Sequence, residues 1–287
     1  MPFYYLLKSY LSERSFRVKQ EQSYSELKKI RGGVPQGSVL APVLYVLFTQ
    51  DVPHPQQTTM ATFADDTAIL AIGETIEEST NKLQSAVNKV VQWTSEWKIK
   101  LNETKSVHVN FTNKTVPCLP IYVNEIQFPY ANTAKYLGMT LDAKLRWKEH
   151  IKKKKEQLDL TYRKMYWLLG RKSELSTQNK LMVYKQVLKP IWTYGIELWG
   201  CAKPTNIQSI QKFQNKVLRS IVNAPWYVRN ADLHKDLGMG SVEEEIKLHA
   251  AKHEQRLHCH PNVEVIRLLD NSEDTRRLKL QKPLDLV

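Results

Sequence analysis

The sequence predicts an α/β (α+β) fold in which helices pack on an antiparallel sheet, followed by an all-helical region. Three observations predict it. Two short, β-prone apolar runs, residues 60–63 and 67–72, flank an acidic turn. A long helical period then separates them from further strand-like segments, and after Asp142 the apolar spacing is helical only. At 287 residues the chain is long enough for two compact units, each with its own core.

The first strong punctuation is Gly32, Gly33, Pro35 and Gly37, a tight loop that opens at Ser38 into an apolar run over residues 39–48. Ser38 can cap that helix, and Pro42 is tolerable in its first turn, where its missing N–H has no intrahelical partner. Val43, Leu44 and Leu47 are then expected to face the core. Next comes a β-hairpin with Ala64, Asp65 and Asp66 in its turn. The sequence Thr75-Ile76-Glu77-Glu78 matches a capping box, and Leu83, Val87, Val90 and Trp97 follow at helical spacing, which predicts a long helix to about Lys98. Residues 106–111 alternate polar and apolar with period two, the mark of a strand with one buried face. Residues 121–128 and 136–141 are expected to add strands.

Beyond Asp142 the steps of Leu181, Tyr184, Leu188 and Ile191, and those of Ile207, Ile210, Phe213, Val217 and Ile221, are helical. Ser241-Val242-Glu243-Glu244 caps a last amphipathic helix ending near His260 and Pro261, and the charged tail after it is expected to be poorly ordered. The expected division is therefore 1–142, 143–230 and 231–287.

Composition narrows the function. Hydrophobic residues make up 42% of the chain but never run to the roughly 18 a membrane helix needs, so no membrane partner is expected. Residues 1–10 lack a basic leader and a cleavage site, so they read as the interior of a longer chain and not as a secretory signal. Cys118, Cys201 and Cys259 lie far apart with no CxxC pair, which fits an intracellular, reducing setting. His249, His253, His258, Cys259 and His260 invite a zinc reading, but solvated histidines explain them better. The net charge is +13, and residues 143–190 hold fourteen Lys and Arg against four acidic residues. A phosphate backbone suits such a segment; the alternative is a solvated lysine face, as in Lys152, Lys153, Lys154 and Lys155.

Adjacent aspartates repel unless solvent or a cation relieves them. Oxygen ligands of this kind hold Mg²⁺, although most Asp-Asp pairs are simply polar turns. The surrounding residues change that balance. Arg31-Gly32-Gly33-Val34-Pro35-Gln36-Gly37-Ser38, followed by Phe63-Ala64-Asp65-Asp66, resembles motifs B and C of reverse transcriptases. Leu101-Asn102-Glu103-Thr104-Lys105 resembles motif D, and Lys135-Tyr136-Leu137-Gly138 resembles the primer grip of the non-LTR retrotransposon enzymes. Tyr194-Gly195-Ile196-Glu197-Leu198-Trp199-Gly200 is similar to a segment of the jockey group. The resemblance covers at least residues 1–230.

That resemblance implies a partial reverse-transcriptase palm followed by a helical thumb, and the activity of an RNA-directed DNA polymerase. It implies Asp65 and Asp66 as catalytic metal carboxylates for Mg²⁺, two ions in the complete enzyme. It also implies Gln36 and Gly37 on the nucleotide and template side, and Lys105 near the pyrophosphate unless it is only a surface lysine. Tyr136, Leu137 and Gly138 would place the primer terminus, and Lys152 to Lys155 would grip duplex. The partners implied are an RNA template, a DNA primer, their hybrid and dNTPs, with a nuclear location expected and a cytoplasmic one open. Trp192, Tyr194 and Trp199 could stack on bases, but core packing is the expectation. The family's motif-A aspartate would lie upstream of this chain, and Asp51 is not a convincing substitute. Activity of the chain alone is expected to be impaired, and a catalytically silent nucleic-acid-binding remnant is the alternative.

Overall fold

The structure, a computed structural model, describes residues 2–114, 117–266, 269 and 283–286. It is a mixed α/β fold, and the chain divides into two compact units, residues 1–101 with 123–125 and residues 102–122 with 126–287. The expected disorder of the tail concerns residues that mostly lie outside the described ones.

The first unit opens with α1 (Pro2–Leu11) and four two-residue strands, β1 (Ser15–Phe16), β2 (Lys19–Gln20), β3 (Ser23–Tyr24) and β4 (Lys28–Lys29), paired β1 with β4 and β2 with β3. Helix α2 (Leu40–Thr49) follows the glycine loop, and the Ser38 hydroxyl accepts from the Ala41 N–H at 3.1 Å, as a capping serine should. The hairpin is β5 (Thr58–Phe63) and β6 (Asp66–Ala71), six residues in register from Thr58 opposite Ala71 to Phe63 opposite Asp66. Only Ala64 and Asp65 therefore form the turn, and Asp66 is the first strand residue, a correction to the three-residue turn expected. Helix α3 (Ile76–Glu96) packs on both strands. Its Thr75 cap accepts from the Glu78 N–H at 3.1 Å, while the Glu78 carboxylate reaches one residue further back, to the Glu74 N–H at 2.8 Å.

One expectation fails here. Val43 and Leu47 are more than half exposed and Leu44 is partly so, and of α2 only Ala41 is buried. The helix is apolar nearly all round, so its spacing names no unique inner face, and little within this unit covers it. Trp97, expected as the last inward residue of α3, is 40% exposed and instead meets Phe48 edge-on.

In the second unit residues 106–111 are not a strand but carry a single bridge, His108 with Tyr130. The reason is local: Asn102 captures the start of the segment, its side-chain oxygen accepting from the Lys105 N–H at 3.1 Å and its carbonyl from the Ser106 N–H at 3.1 Å. That turn competes with extension. Residues 121–128 form not one strand but two short ones, β7 (Tyr122–Val123) and β8 (Ile126–Gln127). Likewise residues 136–141 belong to a hairpin of β9 (Thr133–Tyr136) and β10 (Met139–Asp142). Leu137 and Gly138 turn between them with φ of 45° and 75°, the left-handed pair that matches strand twist. Among the described residues the strands thus form separate two-stranded pieces and not one larger sheet.

The Asp142 carboxylate then builds the next turn, accepting from the backbone N–H groups of Lys144, Arg146 and Trp147. It aims α4 (Lys148–Lys164) back along the hairpin. There follow α5 (Tyr166–Leu169), α6 (Thr177–Val183), a π turn at Tyr184–Leu188, α7 (Lys189–Thr193), α8 (Ile196–Trp199) and α9 (Pro204–Ile221). Then come α10 (Asn230–Asp236), α11 (Val242–His258) and the short α12 (Val263–Ile266). Leu158 of α4, Tyr184, Leu188, Trp192 and Trp199, and Ile210, Phe213, Val217 and Ile221 of α9 share one core. The helical spacing of α9 predicted its buried face. The Ser241 capping box is present in full, with Ser241 accepting from the Glu244 N–H and the Glu244 carboxylate from the Ser241 N–H.

Candidate active site and nucleic-acid interface

In the first unit the Asp65 turn is exposed at the end of the hairpin, and Ala64 holds a φ of 51°, a conformation that an L-residue adopts at some cost. Tyr45 of α2 holds it from one side. Its hydroxyl donates to the Ala64 carbonyl at 2.9 Å, and burial together with the nearby Asp65 carboxylate pushes the phenol above its ordinary value. The sequence reading missed Tyr45; the signal was one hydroxyl in an otherwise aliphatic helix. Asp66 stands beside the turn, paired across the strands with Phe63.

Two adjacent carboxylates on a solvent-facing turn can supply the one or two protein ligands that a magnesium ion takes beside substrate phosphates. Among the described residues no group of three or more His, Cys, Asp or Glu side chains could hold a metal. Asp51 does other work, accepting from the Trp93 indole N–H at 3.0 Å and so tying the end of α2 to α3. Gln36 and Gly37 lie exposed in the loop before α2. Gly37 has a φ of 87° and open space where a Cβ would project, so its backbone is approachable.

The second unit holds the remaining residues. Lys105 is exposed on the Asn102 turn, and His249 lies 3.7 Å from Glu197 and 4.0 Å from Glu245. Tyr136, Leu137 and Gly138 form the end of the β9–β10 hairpin. Tyr194, expected in the core with Trp192 and Trp199, is half exposed, whereas those two are buried. The step from helix to Gly195, whose φ is 65°, turns Tyr194 out and onto the hairpin. Its hydroxyl donates to the Leu137 carbonyl at 2.7 Å.

Helix α4 presents the basic run. Lys152, Lys153 and Lys155 are exposed, while Lys154 is half-buried with its ammonium over the Tyr194 ring, 5.1 Å from the centroid. On the inner side His150 is buried, its Nδ1 accepting from the Thr140 N–H at 3.2 Å. Burial first, then the charges of Lys154 and Lys153, pull its pKa down to about 4. The unit thus pairs a tight hairpin turn with a cationic helix.

Known proteins bear on both units. Residues 2–141 match the family described as reverse transcriptase (RNA-dependent DNA polymerase). Over its whole length the chain is 39% identical to the "Probable RNA-directed DNA polymerase from transposon X-element" of Drosophila melanogaster, of which it covers 32%. It is 34% identical over 99% of its length to the "RNA-directed DNA polymerase from mobile element jockey" of the same species, covering 33%. The Drosophila funebris protein of that name is 35% identical over 98% of the chain, with 32% covered. The chain therefore spans about a third of the length of these relatives. No solved structure matches it. Reverse transcriptases as a family use divalent metal ions and bind templates, primers and nucleoside triphosphates, and no helix among the described residues is long and apolar enough to cross a membrane. By its matched residues and its similarity to these elements along nearly the whole chain, the protein belongs to the reverse transcriptases of jockey-like non-LTR retrotransposons.

Proposed function

We propose that this chain is the part of an RNA-directed DNA polymerase that carries its Asp65–Asp66 turn, its primer grip and its duplex-binding helices. The observation that carries the reading is the Asp65 turn itself, two carboxylates exposed at the end of a six-residue hairpin and steadied by Tyr45. Asp65 and Asp66 would hold Mg²⁺, which supplies an activated 3′-hydroxyl and charge relief for the departing pyrophosphate. Gln36 and Gly37 offer an open backbone to nucleotide and template. Lys105 supplies charge, or a proton, for the pyrophosphate. Tyr136, Leu137 and Gly138 position the primer end, and Lys152, Lys153, Lys154 and Lys155 take phosphates of the RNA/DNA hybrid without reading its sequence. On this reading residues 1–142 act as palm, 143–230 as thumb and 231–287 as a carboxyl-terminal segment, in a polymerase working in the nucleus.

The test is magnesium-dependent primer extension on an RNA template. Three proteins are compared: this chain, the chain joined to the upstream part of an element polymerase, and the joined protein carrying Asp65→Ala. The joined protein is expected to extend the primer, and Asp65→Ala to lower the rate by 10²-fold or more, as removal of a metal ligand does. Unimpaired extension by Asp65→Ala would remove Asp65 from the chemistry. Salt-sensitive hybrid binding with no extension by any of the three selects the catalytically silent nucleic-acid-binding remnant.

A further inference from the structure

Two lysines in the second unit are held close together without a counter-charge. Lys135 on β9 pairs across the hairpin with Thr140, whose N–H is bound by His150 of α4. Lys154 stands one helical turn after His150, on the same side of α4. The hairpin and the helix are thereby locked in a register that sets the two ammonium groups near each other. Burial lowers the Lys154 pKa, and the neighbouring Lys135 charge lowers it further. Among the described residues no carboxylate lies within ion-pair distance of either.

Tyr194 fixes the arrangement from the other side. Its hydroxyl bonds the Leu137 carbonyl, and its ring edge lies where a Cβ on Gly138 would come within 3.3 Å. The ring carries Lys154. A half-buried ammonium set against a second cation is costly unless an anion joins them.

We propose that Lys135 and Lys154, held by Tyr194, form a seat for one backbone phosphodiester beside the Leu137–Gly138 turn. The seat rests on the nucleic-acid reading above and adds two residues to it, Lys135 as a ligand and Tyr194 as a positioning residue. Tyr194 acts through Lys154 and the turn, so its loss should imitate the loss of a charge it does not carry.

Anisotropy of a fluorescein-labelled RNA/DNA hybrid, measured across a salt series, tests this on the full chain. Lys135→Ala and Lys154→Ala are each expected to weaken binding about tenfold and to flatten the salt dependence by about one phosphate. Tyr194→Ala is expected to reproduce both effects, with Lys154→Ala adding nothing on top of it; Tyr194→Phe, which keeps the ring, should lie between. Wild-type affinity and salt slope in Tyr194→Ala, or full additivity with Lys154→Ala, would overturn the seat. A chain that binds no hybrid defeats the polymerase reading, and the seat is then read with inorganic phosphate alone. Joint shifts of the Lys135 and Lys154 side-chain resonances, lost in Tyr194→Ala, would sustain it; independent or absent shifts would sink it.

Discussion

Gly138 is the residue on which the second hairpin depends. Its φ of 75° suits glycine, and a methyl group there would also press on the Tyr194 ring at 3.3 Å. Gly138→Ala should therefore cost about 1–2 kcal/mol, seen as a lower urea midpoint with an unchanged slope. His150 makes the same region sensitive to acid. Its folded pKa of about 4 lies below the ordinary 6.5, so the neutral ring is the form that folding selects. The stability it protects is whole above pH 6.5 and is lost as the pH falls from 6.5 towards 4, on the order of 3 kcal/mol in all. Thermal melts across that window should show the loss. His150→Asn, which keeps an acceptor for the Thr140 N–H but cannot titrate, should flatten it. A variant as acid-sensitive as the parent would move the cause elsewhere.

At the scale of elements, α4 ties the hairpin to α9 through Leu158, which is fully buried. Leu158→Ala should cost about 2–5 kcal/mol, measurable as a lower denaturant midpoint, because the cavity would sit between two helices that cannot both move inwards. The elements also show what could be read from the residues alone. The caps at Thr75 and Ser241 and the buried face of α9 were legible because each depends on neighbours a few positions away. The 106–111 segment was not, since its alternation is real but Asn102 takes the backbone that pairing would need. Leu137 and Gly138 hid a turn inside what looked like one strand. At the site, the paired aspartates and the glycine loop were visible in the sequence. Tyr45 and Tyr194 were not, because each acts through a hydroxyl bonded to a carbonyl 19 or 57 residues away.

For the whole molecule the two units differ in how much they bury. Most of the large fully buried side chains, among them Trp192, Trp199, Tyr184, Leu158 and Leu218, belong to the second, while the first leaves Val43, Val46, Leu47 and Phe48 of α2 exposed. Hydrogen exchange should follow that contrast, with amides of α9 and the buried turns of α4 protected longest and those of α1 and the β1–β4 hairpins exchanging first. Equal protection across both units would refute it. The π turn at Tyr184–Leu188 adds a consequence for the chain as a lineage of sequences. A π turn accommodates one residue more than the α-helix around it, so it is the footprint of a single-codon insertion. Removing one codon there would let the helix relax and swing everything beyond it by about 100°. Trp192 would then leave the core and Tyr194 the hairpin, so the reading frame can drift freely in a surface loop but is pinned at these five positions.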